Sequence, residues 1–457
     1  MKFLTIWDFV LLPIYVFIPY IIAKSYQKRK ILKDPIYKYY TSGLMMKIFG
    51  GIGICIIYTF YYNGGDTLAY NEGAVAMSNM LFKSPETFFS LLFNNRTPEN
   101  WSMFDVNTKW PPLYMYKDTL TFSVSRFSWI FSLFGFRSFV LTTILLAWAT
   151  YIGIWKLFKL FSSEFPDLIK SFAIAILFVP SVVFWGSGLL KDAYTLSAAA
   201  WVIYSVFKLI KKREKLFLHI IIIIICSYII ISIKPYIFFS LFCAILFVLV
   251  SLSFSKIKGV FLKFVIMPIV FILIIGGGII TFSILGDFAG DQYSSLDKML
   301  EKAVINQQDL SREYYGENTF DIGGFEPTIA GIMSKFIPAL NAGLFRPYIW
   351  ECSNPIMAIS GLENFVLMFF TFYVLFLSFM SLIRVGYSYM MKTLFNHQLI
   401  IFSFIFGFSF AFMVGLTTAN FGALVRYKIP LVPFFLTSLM IIVYKFNQEK
   451  LELKKEV

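Results

Sequence analysis

A membrane environment is indicated by residues 44–72, which read LMMKIFGGIGICIIYTFYYNGGDTLAYNE. The first part is an apolar run long enough to cross a hydrocarbon core of about 30 Å, and it stops at Tyr62, where a polar loop begins. Gly64 and Gly65 permit a sharp turn there, because a residue without a Cβ tolerates backbone conformations that other residues avoid. The stretch predicts a transmembrane helix that delivers Asp66 to a membrane surface.

The composition of the whole chain supports this interpretation. Of 457 residues, 58% are hydrophobic and 14% are charged, whereas soluble domains are about 25% charged. We therefore expect a polytopic membrane protein. The net charge of +14 has a sufficient source in basic cytoplasmic segments, so we expect no nucleic-acid partner. The four cysteines show no spacing of a disulfide framework or a metal site.

Apolar stretches of similar length recur along the chain. We expect eleven spans, at residues 6–23, 44–62, 137–157, 171–187, 189–209, 216–233, 236–254, 262–285, 362–383, 397–416 and 429–444. Alternate ends of these spans hold 23 of the 40 Lys and Arg but 7 of the 26 Asp and Glu. Because cytoplasmic segments carry an excess of Lys and Arg, we place the N-terminus outside and the C-terminus in the cytoplasm. The predicted fold class is all-α, with residues 1–457 forming a single multi-pass membrane domain.

This orientation leaves two long extracytoplasmic loops, about 63–136 and 286–361. The first contains three apolar clusters that predict short helices lying on the membrane face, at 80–82, 88–93 and 122–136. In the second, apolar residues recur at helical spacing over 329–344. The predicted amphipathic helix brings Arg346 to the interface.

Charged residues stand at the predicted outer ends of several spans. Lys191 lies at the turn between the fourth and fifth spans, Lys234 lies between the sixth and seventh, Arg346 closes the second loop, and Arg426 precedes the last span. Cations near membrane depth are costly and usually face a cavity or a partner. Four such cations and the carboxylate of Asp66 on one side of the membrane predict a site for an anionic ligand. Arginine grips phosphate with two hydrogen bonds, whereas lysine acts as a point charge.

Some of these cations also have a purely structural interpretation. Lys191 beside Asp192 suits a self-neutralising helix start, and Lys234 suits a side chain that extends to the outer interface. We favour a functional role for Arg346 and Arg426, because they lie among prolines, aromatic residues and glycine. Isolated external carboxylates leave metal binding unknown.

At these residues the chain resembles the GT-C superfamily of membrane glycosyltransferases and, more loosely, the O-antigen polymerases. In the GT-C pattern, an outward-directed span is followed by an external loop with an early Asp and surface helices, which the second span, Asp66 and loop 63–136 match. The ending RYKIPLVPF at 426–434 is similar to the Arg-Tyr-x-x-Pro-x-x-Pro ending of such enzymes. The chain differs from the pattern in having an additional first span and a single early Asp.

The resemblance implies sugar transfer outside the cytoplasm from a polyprenyl-phosphate-linked donor to a glycan or lipid acceptor. Asp66 would act as the general base. Four cations would stabilise the charge that grows on the departing phosphate, namely Arg346, Arg426, Lys191 and Lys234. The expected sugar contacts are Tyr70, Glu72, Trp350, Glu351 and Asn420. We expect no organic cofactor, while participation of a divalent metal ion stays open.

The expected location is the inner membrane of a bacterium, since the abundance of Phe, Ile and Lys is typical of AT-rich bacterial genomes. There the enzyme would assemble cell-surface polysaccharide or glycoconjugate. Two alternatives remain. One is an O-antigen or exopolysaccharide polymerase that transfers lipid-linked oligosaccharide repeats. The other is a flippase or transporter of an anionic lipid-linked sugar, whose charged residues would line a path across the bilayer.

Overall fold

The computed structural model describes residues 4–211, 215–256, 290–312, 318–395 and 397–453. Within these ranges the regular structure is helical, apart from one isolated β-bridge between Thr319 and Asn420. Eight of the described helices are long and apolar enough to cross a membrane, and a bent pair provides a ninth candidate. The described residues therefore form an all-α, multi-pass membrane protein, as predicted, while the number of eleven spans stays a prediction. The predicted span 262–285 lies outside the described residues.

The described helices are numbered in chain order. In order they are α1 (Ile6–Ile31), α2 (Tyr40–Ile56), α3 (Asp66–Lys83), α4 (Pro85–Leu92), α5 (Pro98–Ser102), α6 (Leu113–Lys117), α7 (Thr119–Phe134), α8 (Phe139–Glu164), α9 (Ile169–Ala173), α10 (Pro180–Trp185), α11 (Lys191–Lys211), α12 (Leu216–Ile233), α13 (Pro235–Lys256), α14 (Leu296–Leu310), α15 (Ile329–Ser334), α16 (Phe336–Phe345), α17 (Pro355–Val385), α18 (Tyr387–Phe395), α19 (Gln398–Thr417), α20 (Phe421–Tyr427) and α21 (Val432–Leu453). The chain divides into two compact units, Met1–Leu160 with Ile176–Pro235, and Phe161–Ala175 with Tyr236–Val457.

The prediction of one continuous span at 171–187 is wrong. α9 continues into a π-helical turn, Ile174–Phe178, and the helix ends before Pro180, which begins α10. Val179 is extended, with φ −63° and ψ 122°. Proline lacks an N–H and disfavours the helical conformation of the residue before it, so the apolar run is broken although its hydropathy is uniform.

In the first unit, the segment after the second span forms a packed group of helices, α3 to α7. Its apolar clusters meet in a core in which Met80, Phe88 and Phe122 are each at most 1% exposed. The prediction that these clusters lie on the membrane face is therefore incomplete, because many of their side chains face one another. Others are open to the surroundings, such as Phe82, which is 67% exposed.

A turn in this segment is held by Asp105. Its carboxylate accepts hydrogen bonds from the N–H groups of Asn107 and Thr108 at 2.9 Å and lies 3.0 Å from Lys83 Nζ. The hydrogen bond from the Thr108 backbone, followed by the bond and charge of Lys83, lowers the pKa of Asp105 to about 2. The connection between α5 and α6 is thus ordered by local hydrogen bonds as well as by apolar packing.

In the second unit, α16 packs closely on α19. A Cβ on Gly343 would fall on the carbonyl oxygen of Ala411, and one on Gly415 would fall on that of Ala339. Small residues at a helix contact let two backbones approach this closely. The amphipathic helix predicted at 329–344 is present as α15 and α16, with a break at Lys335.

The last predicted span, 429–444, begins inside a helix pair that bends by 64°, Phe421–Tyr427 with Val432–Gln448. The break falls on the motif that follows Arg426, where Pro430 lacks the N–H that a continuous helix needs. At this bend, Lys428 forms hydrogen bonds with Asn364 and with the carbonyl oxygens of Leu344 and Arg346.

Candidate functional site

Asp66 is the first residue of α3, directly after the turn that ends the second span. Asn63, Gly64 and Gly65 all have positive φ in this turn. Gly65, at φ 110°, has no room for a side chain, because a Cβ would lie 2.9 Å from the Tyr58 ring. Asp66 itself is exposed, and a carboxylate in the first turn is favoured by the helix dipole. The turn therefore presents the carboxylate of Asp66 at a defined place on the surface.

A second carboxylate and a phenol lie near Asp66. Glu72 is exposed and follows Asp66 by six residues, or about 9 Å along the helix axis. Burial raises the pKa of the Tyr114 phenol, and the charges of Asp66 and Glu72 raise it further. Both carboxylates are thus within electrostatic reach of one phenol, and we call Asp66, Glu72 and Tyr114 the acidic cluster.

Tyr70 is not exposed beside these residues. It is 2% exposed, and its carbonyl oxygen accepts a hydrogen bond from Ser125 Oγ at 3.3 Å across the packing of α3 on α7. The stacking face that the sequence predicts for a sugar is therefore buried in this structure.

The two lysines predicted to bind phosphate, Lys191 and Lys234, both contact protein groups. Lys234 Nζ lies 2.5 Å from Asp192 Oδ1, and these side chains are 5% and 0% exposed. Lys191 begins α11 and donates a hydrogen bond to Thr121 Oγ1 at 2.8 Å. The interpretation of Lys234 as a side chain that extends to the interface is wrong, because it forms a buried ion pair. A phosphate would have to compete with Asp192 for Lys234.

Arg346 follows the last turn of α16 and is held by Glu351. Its Nε lies 3.0 and 3.2 Å from the two carboxylate oxygens, and its Nη2 lies 2.5 Å from Oε1. The side chains are 20% and 17% exposed. Glu351 also accepts the Tyr348 N–H at 2.9 Å. This forked contact fixes the plane of the guanidinium.

The same guanidinium lies on two phenylalanine rings. Its central carbon is 4.7 Å from the Phe320 ring centre and 5.3 Å from that of Phe421. The two rings stack with centres 5.1 Å apart. The Phe320 N–H donates to the Ala419 carbonyl at 2.8 Å, which joins the second loop to the start of α20. The rings form a floor on which a cation is stabilised by its attraction to their π faces.

Lys428 lies at the bend between α20 and α21 and is 1% exposed. Its ammonium donates to Asn364 Oδ1 and to the carbonyl oxygens of Arg346 and Leu344, the latter two at 3.0 and 3.3 Å. Lys428 belongs to the motif at 426–434 and had no expected role, and Asn364 was not among the expected site residues. The feature of the sequence that could have identified Lys428 was a basic residue at a break in a helix.

Asn420 and Arg426 belong to the same short helix, α20. Asn420 is 8% exposed, and its Oδ1 caps the helix by accepting the Ala423 N–H at 3.0 Å. Arg426 is 9% exposed, with its guanidinium carbon 5.9 Å from the centre of the Tyr427 ring. Both side chains are thus largely inside the second unit, and Asn420 has a structural role as a helix cap.

Trp350 is the predicted sugar contact that the second unit presents most openly. It is 71% exposed and stacks on Tyr348, with ring centres 4.8 Å apart and an interplanar angle of 23°. Tyr348 is in turn joined to Asn341 through its hydroxyl. The indole therefore has one supported face and one face available for stacking.

The ten predicted site residues divide equally between the units. Asp66, Tyr70, Glu72, Lys191 and Lys234 lie in the first unit, and Arg346, Trp350, Glu351, Asn420 and Arg426 lie in the second. Within the second unit the structure brings Arg346, Glu351 and the start of α20 together. One shared site for all ten stays a prediction. Among the described residues, no group of three or more His, Cys, Asp or Glu is arranged to hold a metal ion.

Together the fold and these polar clusters define a multi-pass helical membrane protein with ordered segments between its spans. Comparison of the chain with models of known families, with curated proteins and with solved structures finds no match. The resemblance to the GT-C superfamily therefore rests on the residues quoted from the sequence and stays a prediction.

Proposed function

We propose that the protein is a membrane glycosyltransferase that takes a sugar from a polyprenyl-phosphate carrier on the extracytoplasmic face. The product would be a cell-surface polysaccharide or glycoconjugate. The observation that carries the proposal is the position of Arg346, a largely buried guanidinium on an aromatic floor at the bend before the last helix.

Arg346 retains capacity for an anion despite its ion pair. Glu351 occupies Nε and Nη2, and no acceptor among the described residues reaches Nη1. An arginine offers five N–H donors in a fixed plane, so a phosphate oxygen can bind Nη1 while Glu351 keeps the plane oriented. The stacked rings exclude water from one face of the guanidinium, which strengthens its interaction with a developing charge.

In the proposed reaction, Asp66 accepts the proton of an acceptor hydroxyl as that oxygen attacks the anomeric carbon of the donor sugar. The bond from the anomeric carbon to the carrier phosphate breaks, and the phosphate leaves with the bonding electrons. Arg346, with Arg426, stabilises that charge. Exposed Asp66 suits a base that must meet an incoming acceptor, and exposed Trp350 suits stacking on a sugar ring.

The test for Asp66 compares two first-turn carboxylates. Glu86 lies in the first turn of α4, as Asp66 lies in the first turn of α3, and it is also exposed. Asp66→Asn and Glu86→Gln are expressed in a strain lacking the gene, and lipid-linked saccharides and surface glycans are measured by mass spectrometry. Loss of the base should reduce the product glycan by about 10²- to 10⁴-fold and accumulate the lipid-linked donor, whereas Glu86→Gln should restore a normal profile. A normal glycan from Asp66→Asn would rule out this residue as the base.

The test for the phosphate contact compares two ion-paired arginines. Arg312 pairs with Asp309 at 2.5 Å but is 72% exposed. Arg346→Lys keeps the charge and loses the planar fork, so it should lower product formation by at least about tenfold, the effect of losing one charged hydrogen bond. Arg312→Lys should leave product unchanged. Equal glycan levels in the two variants would remove Arg346 from the mechanism. Glycans capped at a single repeat would instead indicate the polymerase.

A further inference from the structure

A cleft of about 760 Å³ opens in the first unit beside the acidic cluster. It lies between the start of α1, the middle of α3 and the turn from α7 to α8. Its volume is within the range of about 300 to 1,000 Å³ found for small-molecule sites. Apolar side chains line much of it, and its polar lining includes Asp8, Asn71, Glu72, Lys109 and Arg137.

The cleft contains two buried hydrogen-bond acceptors without protein donors. Asp8 is 4% exposed, and its Oδ2 accepts hydrogen bonds from the N–H and hydroxyl of Thr5 at 2.6 and 2.9 Å. Its Oδ1 is buried and has no hydrogen-bond partner among the described residues, and the same holds for Oδ1 of Asn71. Buried acceptors are normally satisfied because an unmade hydrogen bond costs free energy. Both oxygens therefore point to a ligand that supplies O–H or N–H donors.

Two cations stand at the open side of the same cleft. Lys109 and Arg137 are exposed, and Arg137 Nε donates to Asn79 Oδ1 at 2.5 Å, which orients its guanidinium. A simple cation would bind poorly in a cleft with these acidic and basic groups, because Lys109 and Arg137 would repel it. A bare anion suits it equally poorly because Asp8 and Glu72 would repel that.

We propose that this cleft binds a hydroxyl-rich head group that carries one anionic substituent. The hydroxyls would donate to Asp8 Oδ1 and Asn71 Oδ1, and the anionic group would lie against Lys109 and Arg137. Trp7, which is 67% exposed and also lines the cleft, offers a ring for the apolar face of the ligand. Two sources share this chemistry, a membrane lipid with a polyol phosphate head and a soluble phosphorylated sugar.

The cleft shares Glu72 with the expected sugar contacts, but Asp8, Asn71, Lys109 and Arg137 have no role in the proposed glycosyl transfer, and binding is measured here without turnover. Purified full-length protein is placed in phosphatidylcholine nanodiscs. One arm adds phosphatidylglycerol and measures retained lipid by native mass spectrometry. The other arm titrates glucose 1-phosphate and measures heat of binding. Each arm compares wild type with Asn71→Leu, Lys109→Gln and a matched control, Lys117→Gln, at an exposed lysine outside the cleft.

We expect Asn71→Leu to weaken binding by about fivefold, the effect of losing one neutral hydrogen bond. Lys109→Gln should weaken it by a similar factor at low salt and by less at high salt, because an exposed charge is screened. Lys117→Gln should bind as the wild type does. Because Lys109 is exposed, its variant remains informative if Asn71→Leu does not fold.

Binding of phosphatidylglycerol that depends on these residues would support the proposal and assign a lipid head. Binding of glucose 1-phosphate with the same dependence would support it and assign a soluble sugar. Failure of both probes to bind, or binding that none of the cleft variants weakens, would overturn the proposal. That result would leave the proposed function intact if Asp66→Asn still abolished the glycan.

Discussion

Replacement of Lys234 by methionine should destabilise the protein strongly, because it leaves the carboxylate of Asp192 buried without its nearest cation. The two groups lie 2.5 Å apart and are 5% and 0% exposed. Removing one partner of a buried ion pair costs about 3 to 5 kcal/mol, since the remaining charge stays desolvated. Removing both charges is often close to neutral. We therefore expect Asp192→Asn combined with Lys234→Met to recover most of the loss.

The measurement is unfolding of the purified protein in mixed micelles with increasing SDS, followed by tryptophan fluorescence. Wild type, both single variants and the double variant form a double-mutant cycle, which isolates the coupling between the two side chains. We expect Lys234→Met to unfold at the lowest SDS fraction, with a coupling energy of about 3 kcal/mol that follows from the cost of removing the close cation from a buried carboxylate.

Two results would refute this reasoning. If Lys234→Met is as stable as wild type but no longer forms product, Lys234 serves a ligand and its pairing with Asp192 is incidental to stability. If the double variant is no more stable than Lys234→Met, the loss arises from packing around the lysine stem and not from the charge. The first outcome would return Lys234 to the phosphate-binding role expected from the sequence, and the second would assign it a packing role.

Three further outcomes follow from other contacts. The pKa of Asp105 is lowered from its ordinary 3.8 to about 2. The stabilising contribution of this carboxylate is therefore complete above about pH 4 and is lost as the pH falls towards 2. Asp105→Asn should remove that part of the pH dependence of the melting temperature in a thermal melt. Gly343→Ala should lower the free energy of unfolding by about 1 to 3 kcal/mol, because the added Cβ pushes two helices apart. The control Gly407→Ala should melt as wild type does, because its Cβ would lie 3.6 Å from the nearest atom. Equal melting temperatures of the two variants would contradict the close packing at Gly343. Arg346→Lys should lower stability by about 1 kcal/mol through loss of its fork on Glu351, and an unchanged SDS midpoint would show that the pair contributes little.

Several local features were predictable because they depend on neighbouring residues alone. Gly64 and Gly65 indicated a turn, and α3 begins directly after it at Asp66. The spacing of apolar residues over 329–344 indicated a helix, which is present with one break. The break inside the predicted span 171–187 was a missed local signal, since Pro180 was visible in the sequence.

Other features were beyond sequence reasoning because they depend on distant partners. Tyr70 was expected at a sugar site, yet α7 covers it. Asn420 was expected to contact sugar, yet it caps α20. The unpartnered oxygens of Asp8 and Asn71 gave no signal, because both residue types are commonly solvated and only burial makes their lone pairs informative.

The sequence by itself determined that this chain folds in a membrane as a set of helices. Transfer of an apolar segment into lipid depends on the length and composition of that segment, and helices satisfy their own backbone hydrogen bonds there. Only the tertiary structure decided how the polar residues are used. Lys234 contacts Asp192, which is 42 residues away in the sequence, and Lys428 contacts Asn364, which is 64 residues away. Such pairs form because helix packing encloses both groups away from water, and a linear pattern of hydropathy contains no record of which helices will meet.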